Sequence, residues 1–178
     1  MKHRVTLIGC GTVGQGLLEL LRDGREDLAA QHGAEFSLVG VSDLRMGSAE
    51  ASGGLDIGAV LDAAKRGSFD GLPGSERKRD AIGMIQEVPA DILAEATHTD
   101  LQTGDPGLTH IRSALTAGRS VVTTNKGPIV LALRELTELA RTHGAHLRYE
   151  GTVMSGTPVL SVRPVIWPAI ASRKSAAF

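Results

Sequence analysis

Short apolar runs alternate along this chain with stretches in which apolar residues recur every three or four positions. Arg4 to Ile8 (RVTLI) predicts a first buried strand. Past a cluster of glycines, Val13, Leu17, Leu20 and Leu21 fall at i, i+4, i+7 and i+8, the spacing of one helix face. Phe36 to Ser42 (FSLVGVS) predicts a second strand, and Asp91 to Ala96 (DILAEA) a third, with Glu95 an awkward charge for a central strand. Leu108, Ile111 and Leu115 mark a helix closed by Gly118, followed by the strand-like Ser120 to Thr123 (SVVT). Pro128 suits a helix start. Ile129, Leu133, Leu136 and Ala140 continue at helical spacing, Gly144 follows as a C-terminal cap, and His146 to Glu150 predicts a last strand.

Strands alternating with helices are the pattern of βαβ units and a parallel sheet. Two regions depart from it. Arg45 to Gly83 is rich in Gly and Ser, with a helix expected over Leu55 to Arg66 and a basic run, Arg77-Lys78-Arg79, read as a solvated loop. After Gly156 periodicity stops, and three of the seven prolines (Pro158, Pro164, Pro168) cluster near the single Trp167. The expectation is one α/β domain over residues 1–150, then a crossover loop and a truncated or aberrant start of a second domain over 151–178.

Composition adds limits. With 42% hydrophobic and 22% charged residues the chain can bury a core, and its formal net charge of −1 offers no field for nucleic acid or an anionic membrane. The lone Cys10 rules out a disulfide framework and a cysteine zinc cluster. The apolar start ends at Gly9, short for the roughly 7–15-residue core of a signal peptide, and no run approaches the roughly 18 residues of a membrane span. A soluble cytoplasmic protein is expected. The 22 glycines and 3% aromatics suggest close backbone packing among small aliphatic side chains.

Chemistry concentrates at five places. Gly9-Cys10-Gly11-Thr12-Val13-Gly14 is G-x-G-x-x-G between a predicted strand and a predicted helix. In that context Gly9 permits a tight turn, Gly11 admits a pyrophosphate and Gly14 allows close helix packing, the fingerprint of a Rossmann-like doubly wound sheet. Asp43 ends the second strand, where a ribose-binding acid belongs, although it lies 29 residues past Gly14 rather than about 20. A helix extended through Asp23 to Gly33 would absorb the excess. Asp43 favours NAD, whereas Arg45 favours NADP by pairing with a 2′-phosphate, and the residues leave both open. Thr97-His98-Thr99 and Thr123-Thr124-Asn125-Lys126-Gly127-Pro128 each follow a strand, so both lie on the ligand side of the sheet. Lys126 there could hold a substrate or cofactor oxygen or act as an acid; a plain solvent lysine is the alternative, and His98 alone reads as a loop histidine. Glu150 to Pro158 (EGTVMSGTP) is a small-residue loop, able to offer carbonyls to a hard cation or to serve only as a crossover.

Together GCGTVG, EATHTDLQTGDPGLTHIRSAL, VVTTNKGP and RYEGTVMSGTPVL resemble homoserine dehydrogenase, in order from about Arg4 to Leu160. The resemblance implies NAD(P)-dependent interconversion of L-homoserine and L-aspartate 4-semialdehyde, on the path to threonine, methionine and isoleucine. It implies that Thr12, Val13, Thr97 and Lys126 touch cofactor, Lys126 also at the edge of the active site. It implies a monovalent cation such as sodium on backbone around Glu150, Val153, Ser155 and Thr157. Gly151 and Met154 stand where many members carry Ala and Gly. Members form homodimers and continue into a substrate and dimerisation domain that nothing after Leu160 matches, so a fragment with little turnover, monomeric or aggregating, is expected. NADP is the preferred cofactor, with NAD tolerated. The alternatives are another amino- or hydroxy-acid dehydrogenase and a non-catalytic dinucleotide sensor, which would leave the Lys126 and Thr157 stretches unexplained.

Overall fold

The computed structural model describes residues 1–76, 79–155, 157 and 160. Its centre is strand β1 (Lys2–Ile8), whose Val5 and Leu7 enter one core and whose Ile8 enters the other. Helices α1 (Thr12–Asp23) and α2 (Arg25–His32) follow, then β2 (Glu35–Asp43) parallel to β1. A short strand β3 (Gly47–Glu50) turns back antiparallel to β2. Next come α3 (Ile57–Arg66), α4 (Ala81–Glu87), β4 (Ile92–Glu95), α5 (Gly107–Thr116), β5 (Ser120–Thr123), α6 (Lys126–Thr142) and β6 (Leu147–Arg148). A single 3₁₀ turn, Glu150–Thr152, ends the regular structure among the described residues.

The sheet order is β3-β2-β1-β4-β5-β6. The chain winds outward from β1 in one direction and then returns to place β4 on the other side, which opens a crevice between β1 and β4 at their carboxyl ends. Doubly wound topology is therefore as expected, and the sheet is parallel except at β3. That edge strand escapes a pattern reading because Gly-Ser-Ala-Glu carries no β-branched or aromatic residue. Its neighbour α4 also lies outside the elements the pattern predicts. It packs on β2 where Gly40 has no side chain, since a Cβ there would lie 2.7 Å from the Met84 sulfur.

Each face has its own core. Val5, Leu7, Leu18, Leu38, Val41, Leu61 and Phe69 fill the side under α1 and α3; Ile8, Val39, Met84, Leu93, Ile111, Leu115 and Leu136 fill the other, under α4, α5 and α6. Each such large side chain contributes roughly 1.5–3 kcal/mol on burial. The elements otherwise follow the periodicity with three corrections. The first helix is two helices, broken at Gly24 rather than extended through it. The last strand shortens to two residues, and Glu150 joins the 3₁₀ turn. The apolar face of α1 is the third: Leu18, outside the stripe read from spacing, is fully buried, while Val13 and Leu20 of that stripe are 53% and 71% exposed. Spacing identifies an apolar stripe but not what covers it. None of the described helices is long and apolar enough to cross a membrane. Arg77, Lys78 and the tail after Leu160 lie outside the described residues, so the solvated-loop and tail expectations are not addressed by the fold.

Candidate functional site

The first strand–helix turn is built from three glycines with different jobs. Gly9 has φ of +90°, and a Cβ on it would meet the Ala96 carbonyl group at 2.5 Å, so the turn and the end of β4 touch through backbone alone. A Cβ on Gly14 would overlap the Gly9 carbonyl oxygen, which brings α1 hard against the turn. Gly11 differs. It is the residue before α1, no side chain caps the helix, and a Cβ there would find no atom within 4 Å. The open N-terminus of α1 and the bare Gly11 leave backbone N–H groups and space for an anion.

Asp43, at the end of β2, is turned inward to this loop. Its Oδ2 accepts from Cys10 N at 3.0 Å, and its Oδ1 accepts from Arg45 N at 2.9 Å and Met46 N at 3.3 Å. The carboxylate thus ties the glycine loop to the β2–β3 turn. Gln15 closes the loop from the helix by donating to Cys10 O at 2.9 Å. Cys10 itself is buried, and burial followed by the Asp43 charge pushes its thiol up to about 12. It is an inert packing group. Arg45 is exposed on the same turn, and among the described residues its guanidinium has no ion-pair partner.

A cavity of about 1240 Å³ runs from Gly9 and Gly11 past Asp43 and Arg45 to Thr97, Pro106 and His110. A second groove, about 720 Å³, lies across α1 and is lined by Thr12, Val13, Thr123 and Thr124. The two share the Ala96 end of β4, so the fingerprint loop stands between them. Ligand space therefore continues on both sides of the crevice.

Glu95, the charge that seemed out of place in β4, organises the floor of this crevice. It is 1% exposed. One carboxylate oxygen accepts from Thr97 N at 3.0 Å and from the Thr97 hydroxyl; the other accepts from the Thr123 hydroxyl at 2.7 Å. Thr123 Oγ1 in turn accepts from Asn125 N at 3.0 Å. Asn125 donates to Thr97 Oγ1 at 3.3 Å and His98 O at 3.1 Å, and accepts from Gly127 N at 3.3 Å, capping α6. A Cβ on Gly107 would lie 3.2 Å from the Glu95 carboxylate, so the N-terminus of α5 also approaches this charge. Sequence reasoning missed this network. Its signal was the Asn placed just before a helix.

Thr97 is therefore fixed from two sides, and Lys126, the first residue of α6, is exposed at the carboxyl end of β5 with no ion-pair partner among the described residues. The small-residue loop is close by: a Cβ on Gly151 would lie 2.8 Å from Thr124 Cγ2. In it Met154 and Ser155 adopt left-handed φ of 54° and 52°, and Thr157 N donates to Met154 O at 3.0 Å. The Val153 and Ser155 carbonyls accept no hydrogen bond among the described residues. The Glu150 carboxylate accepts from Leu160 N at 2.7 Å. Among the described residues no cluster of three or more His, Cys, Asp or Glu side chains is placed to hold a metal ion. Gly156 and Pro158 lie outside the described residues.

Residues 9–150 match the family model described as "Homoserine dehydrogenase, NAD binding domain". The chain belongs to the homoserine dehydrogenase family. It is similar to the NAD(+)-dependent homoserine dehydrogenase of Pseudomonas canavaninivorans, 39% identical over 160 residues covering 89% of this chain and 46% of that protein. Homoserine dehydrogenase of Methanocaldococcus jannaschii is 34% identical over 159 residues, covering 89% and 47%. Among solved structures, a hyperthermophilic archaeal homoserine dehydrogenase in complex with NADPH superposes with a TM-score of 0.77 at 29% identity, over 91% of this chain and 48% of that one. Homoserine dehydrogenase of Thermoplasma acidophilum gives 0.77 at 27%, over 94% and 49%. The chain spans about half the length of these relatives, and it matches the family's NAD-binding domain.

Proposed function

We propose that this chain binds NADPH, with NADH tolerated, as the cofactor domain of an enzyme that interconverts L-homoserine and L-aspartate 4-semialdehyde. The observation that carries the reading is Gly11, a bare residue at an uncapped helix N-terminus that opens onto a cavity large enough for a nucleotide. Gly9, Gly14 and Asp43 hold the loop in shape, and the N–H groups of Thr12 and Val13 face the pyrophosphate. When bound, the nicotinamide supplies hydride transfer to or from the substrate carbon. Thr97, locked by Glu95 and Asn125, positions the dinucleotide, and Lys126 holds the substrate oxygen or gives it a proton.

The preference for NADP rests on Arg45, whose unpaired guanidinium offers charge-assisted bonds to a 2′-phosphate, while three backbone N–H groups already occupy Asp43. NAD is the second reading, because the Pseudomonas relative is NAD(+)-dependent. The reading includes a monovalent cation such as sodium on the carbonyls of the Glu150, Val153, Ser155 and Thr157 loop, supported by the unused Val153 and Ser155 carbonyls. It also includes a cytoplasmic setting, in keeping with one buried free thiol, and a homodimeric whole enzyme. Fluorescence titration of the purified chain with NADPH and NADH is the test. Saturable binding with a tighter constant for NADPH is expected, and Arg45→Ala should bring the two constants together. Absence of binding to either nucleotide would overturn the reading.

A further inference from the structure

His110 sits on α5 and is 6% exposed, yet its Nδ1 is sealed from solvent and has no hydrogen-bond partner among the described residues. A buried polar atom left unmatched in a well-packed fold asks for a ligand. Nδ1 has no accessible surface, so the residue meets the cavity by other atoms. The residue lines the larger cavity together with Thr97, Pro106 and Ile82, and the Asp43–Arg45 turn lines the same cavity. A half-turn about χ2 brings a nitrogen to the other edge of the ring without changing its volume. Burial holds the imidazole below its ordinary value, against the opposing pull of the Glu95 and Asp105 charges, so the ring is neutral near pH 7 and carries one donor and one acceptor.

The turn after β2, where a ribose belongs in this topology, lines this same cavity, while Thr12, Thr123 and Thr124 line the separate groove. Resting on the dinucleotide reading above, we infer that His110 is a base-contacting residue that accepts a hydrogen bond from the exocyclic amine of the adenine in the bound cofactor. Pro106 and Ile82 supply apolar surface for the ring of the base. One imidazole nitrogen, unprotonated, accepts from the exocyclic amine of adenine, a donor that hypoxanthine replaces with a carbonyl oxygen.

The experiment titrates wild type and His110→Phe with NADPH, with its deamino analogue (hypoxanthine in place of adenine) and with reduced nicotinamide mononucleotide. Wild type should bind NADPH about five- to tenfold more tightly than the deamino analogue, the worth of one hydrogen bond. The phenylalanine variant should bind the two within about twofold. The mononucleotide should bind both proteins equally. Equal affinities of wild type for the two dinucleotides overturn the inference without recourse to any variant. So does an unchanged ratio in a folded His110→Phe, or a mononucleotide affinity that falls with the substitution. NADPH binding without base discrimination removes this inference alone, whereas no binding by wild type removes the dinucleotide reading and this one with it.

Discussion

Gly11 and Gly14 are three residues apart and should respond to a side chain in opposite ways. Gly11→Val adds its methyl groups to open space, so the melting temperature should stay close to wild type while NADPH affinity falls at least about tenfold. Gly14→Ala gains helix propensity but drives its Cβ into the Gly9 carbonyl oxygen; the overlap wins, at about 1–3 kcal/mol, read as a lowered urea midpoint. His110 offers a pH test. Its native value lies below the unfolded one, so the unfolded chain binds the extra proton and stability drops as pH falls below the ordinary imidazole value of about 6.5. Urea midpoints at pH 7.5 and 5.5 should diverge more for wild type than for His110→Phe. At this scale the glycines, Asp43, Thr97 and Lys126 were legible because each is an unusual residue at a strand end. Glu95 was read as a misfit because one of its partners, Thr123, comes from β5, and His110 was not singled out because the cavity it lines is assembled from distant segments; no local spacing encodes such meetings.

Between elements, the antiparallel strand β3 and helix α4 are held by Arg79, which bonds the nearly buried Glu50 at 2.9 Å and also pairs with Glu87. Arg79 N donates to Ser48 Oγ at 3.0 Å as well. Arg79→Met leaves the Glu50 carboxylate buried without a cation, at about 3 kcal/mol by denaturant unfolding. Adding Glu50→Gln should recover much of that loss, since an uncharged amide is cheaper to bury. Neither element was visible in the pattern of apolar positions. β3 is four residues of small and charged side chains, and α4 is a single short helix whose Met84 and Ile85 are too few to establish a period. The long helices and the central strands were legible because a repeated stripe or an unbroken apolar run survives over many residues. Even so, α1 shows that a stripe can line a groove instead of a core.

For the molecule as a whole, NADPH at about 100 times its dissociation constant should stabilise the fold by about 2.7 kcal/mol. A chain of this size should then melt roughly 5–10 °C higher, measured by scanning calorimetry. Iodoacetamide should leave Cys10 unmodified in the native state at pH 8 and label it only on unfolding, because the thiol is buried and held at about 12. Strand order was anticipated only as a class: alternation of strands and helices implies a wound sheet, while the position of β4 beside β1 is set by long-range pairing. That arrangement puts one acid in charge of two tasks. Asp43 stands where dinucleotide enzymes of this topology choose between a ribose hydroxyl and a phosphate, and here it also clasps the amide of Cys10. In the reading proposed above, selection for a new coenzyme would not exchange this residue without loosening the loop proposed to hold the pyrophosphate. The accessible mutational route runs through Arg45 and the exposed turn around it, which leaves the clasp intact; preference can drift in such a lineage while the acid stays put.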